Sequence, residues 1–107
     1  MKITEAVERL GLEVITMPDP DAEIDGCYVG DLLSWVMGRA SAGNLWITIM
    51  TNLNIIAVAS LAGVSAVIIA ENAELAPEVK QTAETQGINL LRSRLPAYET
   101  AVEVSKL

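Results

Sequence analysis

The side chains best suited to hold a ligand sit in short polar segments, each directly after an apolar run. Met50-Thr51-Asn52-Leu53-Asn54 follows Leu45-Trp46-Ile47-Thr48-Ile49, Glu71-Asn72-Ala73-Glu74 follows Ala66 to Ala70, and Arg92-Ser93-Arg94 follows Ile88 to Leu91. The hydroxyl and amide groups of Thr51, Asn52, Asn54 and Asn72 can hydrogen-bond a nucleotide or another small polar ligand, and Arg92 and Arg94 can neutralise a phosphate. A plainer reading has Asn54 capping a helix and both arginines in water. None of these segments is glycine-rich, so a tight main-chain cradle for phosphate is not expected.

Catalytic chemistry is harder to find. The chain has no histidine and one cysteine, Cys27. Ser-His-Asp and Cys-His nucleophiles are therefore excluded, as are intrachain thiolate clusters for zinc or iron-sulfur centres. No Gly-x-x-x-x-Gly-Lys-Ser/Thr phosphate loop and no Gly-x-Gly-x-x-Gly fingerprint occur. Asp21-x-Glu23-x-Asp25-Gly26 imitates the opening of a calcium loop, but the place of the closing bidentate glutamate falls on Leu32, and prolines replace the incoming helix. This segment reads as a solvated acidic loop, and neither a metal nor a cofactor is expected. Cys27 has no basic neighbour in sequence to lower its pKa, so packing in the core or at an interface is the expected role. An enzyme built on carboxylates such as Asp31 or Glu71 at a shared interface stays open as an alternative.

The elements that must position these groups follow from pattern. Thr4 to Leu10 reads as a helix with Thr4 as N-cap and Gly11 as stop; Ala6, Val7 and Leu10 share one face. Leu12 to Met17 is a strand ended by Pro18 and Pro20, and Cys27 to Val29 a brief strand before a helix from Asp31 to Ala40. Leu45 to Ile49 is a strand, followed by a helix from Asn54 to Ala62 closed by Gly63. Ala66 to Ala70 is apolar without alternation, as in a strand covered on both faces. Pro77 opens a helix ended by Gly87, with Val79 and Ala83 inward; Ile88 to Leu91 is a strand; Pro96 opens a last helix with Tyr98, Ala101 and Val102 on one face. Alternation of this kind predicts parallel strands joined by crossover helices. The fold class is α/β, a single layered domain over residues 1–107 with a mostly parallel sheet flanked by helices.

With 51% hydrophobic residues and a mean hydropathy of +0.39, the chain can build a packed core. Its net charge of −7 argues against nucleic acid, whose phosphates require clustered cations, and no basic membrane-surface helix is present. No apolar run is long enough to span a bilayer. The opening Met1-Lys2-Ile3-Thr4-Glu5 leads directly into acidic helical sequence and predicts no leader; the single thiol suits a reducing cytoplasm.

Two helical stretches lack a polar face. Ile55-Ile56-Ala57-Val58-Ala59-Ser60-Leu61-Ala62 is apolar nearly all round, and Leu32-Leu33-Ser34-Trp35-Val36-Met37 almost as much. So small a domain has little with which to cover both, which predicts a homodimer with Trp35 and Met37 at its interface. The alternative is that the sheet and neighbouring helices bury both stretches within one chain.

The chain resembles the DRTGG domain, a module related in fold to the N-terminal domain of HPr kinase/phosphorylase. The resemblance runs through Ile3-Thr4-Glu5, Leu10-Gly11-Leu12-Glu13-Val14, Gly26-Cys27-Tyr28-Val29-Gly30-Asp31-Leu32-Leu33-Ser34, Trp46 to Ile55 and Gly63-Val64-Ser65-Ala66-Val67-Ile68-Ile69. It is similar to the stand-alone form found near genes of iron hydrogenases and redox complexes, which implies an adaptor role beside a redox-complex partner protein as one possibility. Association elsewhere with CBS domains, phosphotransacetylases and cobyrinic-acid-synthase-like domains implies regulation or assembly rather than catalysis. In CBS-linked pyrophosphatases the family resembles a dimerising spacer beside an adenine-nucleotide site. This sequence departs from the family signature: Thr51-Asn52 stands where its Asp-Arg falls, and Ala70-Glu71-Asn72 where its Thr-Gly-Gly falls.

Overall fold

Residues 1–107 of this computed structural model wrap a five-stranded sheet in helices on both faces. In chain order the elements are α1 (Ile3–Leu10), β1 (Glu13–Thr16), β2 (Cys27–Val29), α2 (Leu33–Arg39), β3 (Leu45–Thr48), α3 (Asn54–Ala62), β4 (Ala66–Ile69), α4 (Pro77–Gln86), β5 (Leu90–Arg92) and α5 (Ala97–Ser105). The strand order is β1-β5-β4-β3-β2, with β1 antiparallel to β5 and every other pairing parallel. Tyr28 lies level with Trp46, Ile47 with Ile68, and Ile68 with Leu91.

The layering follows from this order. From β2 to β5 the chain always steps to the next strand in the same direction, and crossovers of one hand then put α2, α3 and α4 on one face. Val36, Ile55, Ile56, Val58, Ala59, Val79 and Ala83 from those helices pack there on Trp46, Val67, Ile69 and Leu90. On the other face Ile3 of α1 and Val104 of α5 close over Leu45, Ile47, Ile68 and Leu91. All residues of β3 and β4 are buried, which is why neither strand alternates in sequence.

Turn chemistry fixes the helix ends. Gly11, Gly63 and Gly87 all take the left-handed C-cap conformation, at φ of 64°, 71° and 73°, and Pro77 occupies the first turn of α4. No helix is long and apolar enough to cross a membrane.

Several expected boundaries move for identifiable reasons. Thr4 is not the cap of α1, because its hydroxyl donates to the Pro20 carbonyl at 3.0 Å; Glu5 instead accepts the Lys2 N–H at 3.1 Å. Asp31 lies outside α2, held by bonds described below. Asn54 is the first residue of α3 rather than its cap: its N–H donates to Asn52 Oδ1 at 2.9 Å. The inward stripe of α5 is Ala97, Thr100, Ala101 and Val104, while Tyr98 is 75% exposed. A threonine suits that stripe because its hydroxyl is satisfied by Ser93 Oγ at 2.8 Å and the Leu95 carbonyl at 3.1 Å.

The apolar surplus is resolved unevenly. α3 buries Ile55, Ile56, Val58 and Ala59 within its own chain and leaves Leu61 outside. α2 buries only Val36.

Candidate functional site

Because β2, β3, β4 and β5 run parallel, their carboxyl ends share one rim of the sheet, where ligands of open α/β folds bind. Thr51 and Asn52 lie on the segment leaving β3, Asn72 on the segment leaving β4, and Arg94 on the segment leaving β5. The fold thus gathers these residues on three adjacent strands, together with Asn54 at the start of α3. The side chains of Thr51, Asn54, Asn72 and Arg94 make no hydrogen bond within the chain, and the main-chain N–H groups of Thr51, Asn52 and Leu53 have no acceptor.

Arg92 is placed differently. Its guanidinium forms a bidentate pair with Glu13 on the neighbouring β1, Nη2 lying 2.8 Å from both carboxylate oxygens, and Nη1 donates to the Ala73 carbonyl at 3.2 Å. That cation is committed to tying the antiparallel edge strand to the sheet. It leaves Arg94 as the exposed cation of this segment, without an ion pair.

The rim itself is cross-braced. Asp31 Oδ1 accepts the Thr48 hydroxyl at 2.8 Å and the Ile49 N–H at 2.9 Å, and Trp46 Nε1 donates to the Gly30 carbonyl at 2.9 Å. The segment between β2 and α2 is thereby clamped to the end of β3. On the other side, Glu71 N–H donates to the Leu95 carbonyl at 2.9 Å and Asn72 N–H to the Ser93 carbonyl at 2.8 Å. The chain leaves β4 toward one face and β5 toward the other, which would open a crevice between them, and those two bonds close it. Asp31 is accordingly a positioning group for the main chain. Glu71 stays exposed, with no side-chain partner.

Glu71 and Asn72 carry the only positive φ values outside glycine, 64° and 51°. Two successive left-handed residues are a turn that glycine adopts freely, asparagine tolerates, and glutamate adopts at a cost of about 1–2 kcal/mol.

Two of the three carboxylates of the acidic loop are spent locally: Glu23 pairs with the N-terminal ammonium at 3.1 Å and Asp21 with Lys2 at 3.7 Å. Cys27 lies not in the core but on the edge strand β2, exposed as a residue while it lines an apolar groove; desolvation there raises its thiol pKa from 9.0 to about 11. None of the four principal surface cavities is lined by Thr51, Asn52, Asn54, Asn72 or Arg94. A ligand on the rim would therefore rest on an open surface.

Over residues 5–107 the sequence matches the DRTGG domain family. The chain belongs to that family. Its fold is similar to that of the CBS and DRTGG domains in the regulatory region of Clostridium perfringens pyrophosphatase, a structure complexed with its activator, diadenosine tetraphosphate: the TM-score is 0.72 at 14% identity, over 92% of this chain. This DRTGG domain spans 43% of that longer chain. Comparison with curated proteins finds no match.

The backbone at Glu71-Asn72 holds a left-handed conformation that glycines favour.

Proposed function

We propose that this DRTGG domain is a non-catalytic regulatory or assembly module that acts in the cytoplasm as a homodimer and takes a small polar ligand, an adenine nucleotide foremost, on the rim at the ends of β3, β4 and β5. The observation that carries the pairing is the outer face of α2. Leu32, Trp35 and Met37 are 60%, 53% and 49% exposed around this short helix. Side chains two apart on a helix point to different flanks, so Trp35 and Met37 stand on either side of Ser34 and Gly38, opposite buried Val36.

Gly38 costs the helix about 1 kcal/mol relative to alanine, and a Cβ there would meet nothing in its own chain. A glycine in the last turn of an exposed helix suits close approach by another backbone. A second α2 supplies one, and its own tryptophan and methionine cover the flanks in an isologous contact. The Arg39 guanidinium, 3.8 Å from the Trp35 ring centroid, holds that ring against the helix.

The regulatory reading is supported by the family and by the fold shared with a nucleotide-regulated pyrophosphatase region. Thermal denaturation with diadenosine tetraphosphate, ATP and AMP tests the ligand. A ligand at a hundred times its dissociation constant adds about 2.7 kcal/mol of stability. Binding on the rim predicts that Arg94→Ala and Asn52→Ala shrink the shift, while Arg92→Lys lowers the baseline stability without shrinking it. No shift with any nucleotide overturns the ligand assignment and leaves the pairing to its own test.

A further inference from the structure

α2 and α3 lie side by side over the sheet, and their outer sides form a helical surface almost without charge. α3 carries no charged residue, and α2 carries only Arg39, whose guanidinium lies on its own Trp35. By contrast α1, α4 and α5 each bear two or more charges, in a chain where 20% of residues are charged. The surface is apolar as well as neutral. Leu53 and Leu61 stand 44% and 76% exposed next to Leu32, Trp35 and Met37 of the neighbouring helix. A cavity of about 420 Å³ opens between α3 and α4, lined by Leu53, Ile56, Ala57, Ser60, Leu61 and Thr82.

Area and charge identify what covers this face. Side chains of this size carry roughly 200 Å² each, so the half-exposed Leu32, Trp35 and Met37 offer on the order of 300 Å² between them. A stable pairing takes about 800 Å² from each partner. The contact through α2 alone falls short of that. Leu53, Leu61 and the cavity mouth between them bring each partner to on the order of 600 Å² before the polar rim is counted. Charge points the same way. Two chains of net charge −7 repel, and on this face they meet without opposing carboxylates. A charged partner segment finds little to pair with here, because Arg39 is the sole ion of the two helices.

We infer that the homodimer surface spans α2 and α3 together: α2 of a second copy crosses both helices, and its Leu32 and Trp35 side chains cover Ala57, Ser60 and Leu61 at the cavity mouth. The inference rests on the proposed pairing through α2 and extends it to α3. Gly38 and Leu61 each stand two residues before the C-cap of their helix, Ala40 and Gly63. Gly43 N–H donates to the Gly63 carbonyl at 2.9 Å and ties together the segments leaving those ends. A second α2 seated on Gly38 therefore arrives level with Leu61. Helices commonly pack at crossings of about 50°. A crossing of that size swings the first turn of the arriving helix over α3 in one direction and past the β2 side of the sheet in the other. The first direction buries Leu61.

The test is sedimentation equilibrium of the full chain carrying Ser60→Arg or Leu61→Glu, beside the parent, Trp35→Glu and, as a control on the opposite face, Tyr98→Ser. Both α3 positions are exposed, and far-ultraviolet circular dichroism checks that each variant folds; should Leu61→Glu fail to fold, Ser60→Arg decides. Each α3 substitution is expected to raise the dissociation constant of the dimer at least tenfold, and Tyr98→Ser to leave it unchanged. Iodide quenching adds position. Trp46 is fully buried, so the quenchable tryptophan emission is that of Trp35. It should be shielded in the parent dimer and accessible in Leu61→Glu. A parent dimer that Trp35→Glu dissociates, while Ser60→Arg and Leu61→Glu keep the parent's affinity, overturns the inference and leaves the pairing through α2 standing. A parent that stays a single chain overturns both and assigns this face to a different partner.

Discussion

Asp31 and Thr48 meet across the carboxyl ends of β2 and β3, with the threonine hydroxyl donating to the aspartate at 2.8 Å and the next residue's N–H donating to the same oxygen at 2.9 Å. One oxygen thus sets where β3 ends, where α2 begins and how the rim is shaped. The bond also decides what this carboxylate can do. An acid holding two donors in place serves the backbone, and the site then has to be built from the groups around it.

Replacing Asp31 with Ala should cost about 1–2 kcal/mol, the worth of charge-assisted hydrogen bonds at a partly solvated position. Urea denaturation reads that loss. Thr48→Val should cost less, because the Ile49 N–H still has its acceptor. Equal losses in the two variants would mean that the hydroxyl, rather than the main-chain bond, carries the clamp.

Glu71→Gly should raise stability by about 0.5–1 kcal/mol, relief of the left-handed strain outweighing the entropy that glycine adds to the unfolded chain. Asn72→Val, a β-branched residue forced to φ near 51°, should lower it by at least 1 kcal/mol, an order-of-magnitude figure for such strain. Thermal midpoints of the two variants check both signs. A Glu71→Gly protein less stable than the parent would show that the glutamate side chain contributes more than its backbone costs.

Cys27 makes stability fall on the alkaline side. Its thiol ionises near 9.0 when unfolded and near 11 when folded, so the folded state holds the proton longer. Below pH 9 both states are protonated and the residue contributes nothing to the pH dependence; between about 9 and 11 the unfolded state gains by ionising and stability declines. Denaturation midpoints measured from pH 7 to 10.5 should drop more steeply for the parent than for Cys27→Ser. Alkylation by iodoacetamide at pH 8 should be slower for the folded chain than for the urea-unfolded one.

Much of the fold is legible in local pattern because local physics decides it. The unbroken apolar runs of β3 and β4 mark buried parallel strands, and Gly11, Gly63, Gly87 and Pro77 punctuate the helices where their φ preferences place them. The chemistry at the rim is less legible because it depends on partners far away in sequence. Arg92 looks free until the fold brings Glu13, 79 residues earlier, beside it. Asp31 looks helical until Thr48 captures it. Thr16, Asn44 and Asn89 carry no motif, yet buried Asn89 bonds both Asp19 and Ser65, Asn44 holds the Asp25 carbonyl, and Thr16 bridges the irregular pairing of β1 with β5. The apolar surplus is visible in the sequence as composition, and the fold leaves most of it on α2 by burying Ile55, Ile56, Val58 and Ala59 of α3 while Leu61 stays outside.

Sedimentation equilibrium of the parent chain at 5–100 μM, beside Trp35→Glu and Gly38→Leu, tests the pairing through α2 most directly. Pairing through α2 predicts a parent mass of two chains at about 50 μM and a mass of one chain for both variants, with far-ultraviolet circular dichroism unchanged because Trp35 is half exposed and stacks only with Arg39 of its own helix, and a side chain at Gly38 would meet nothing in its own subunit. A parent protein that remains a single chain across that range, or a dimer indifferent to both substitutions, would contradict it.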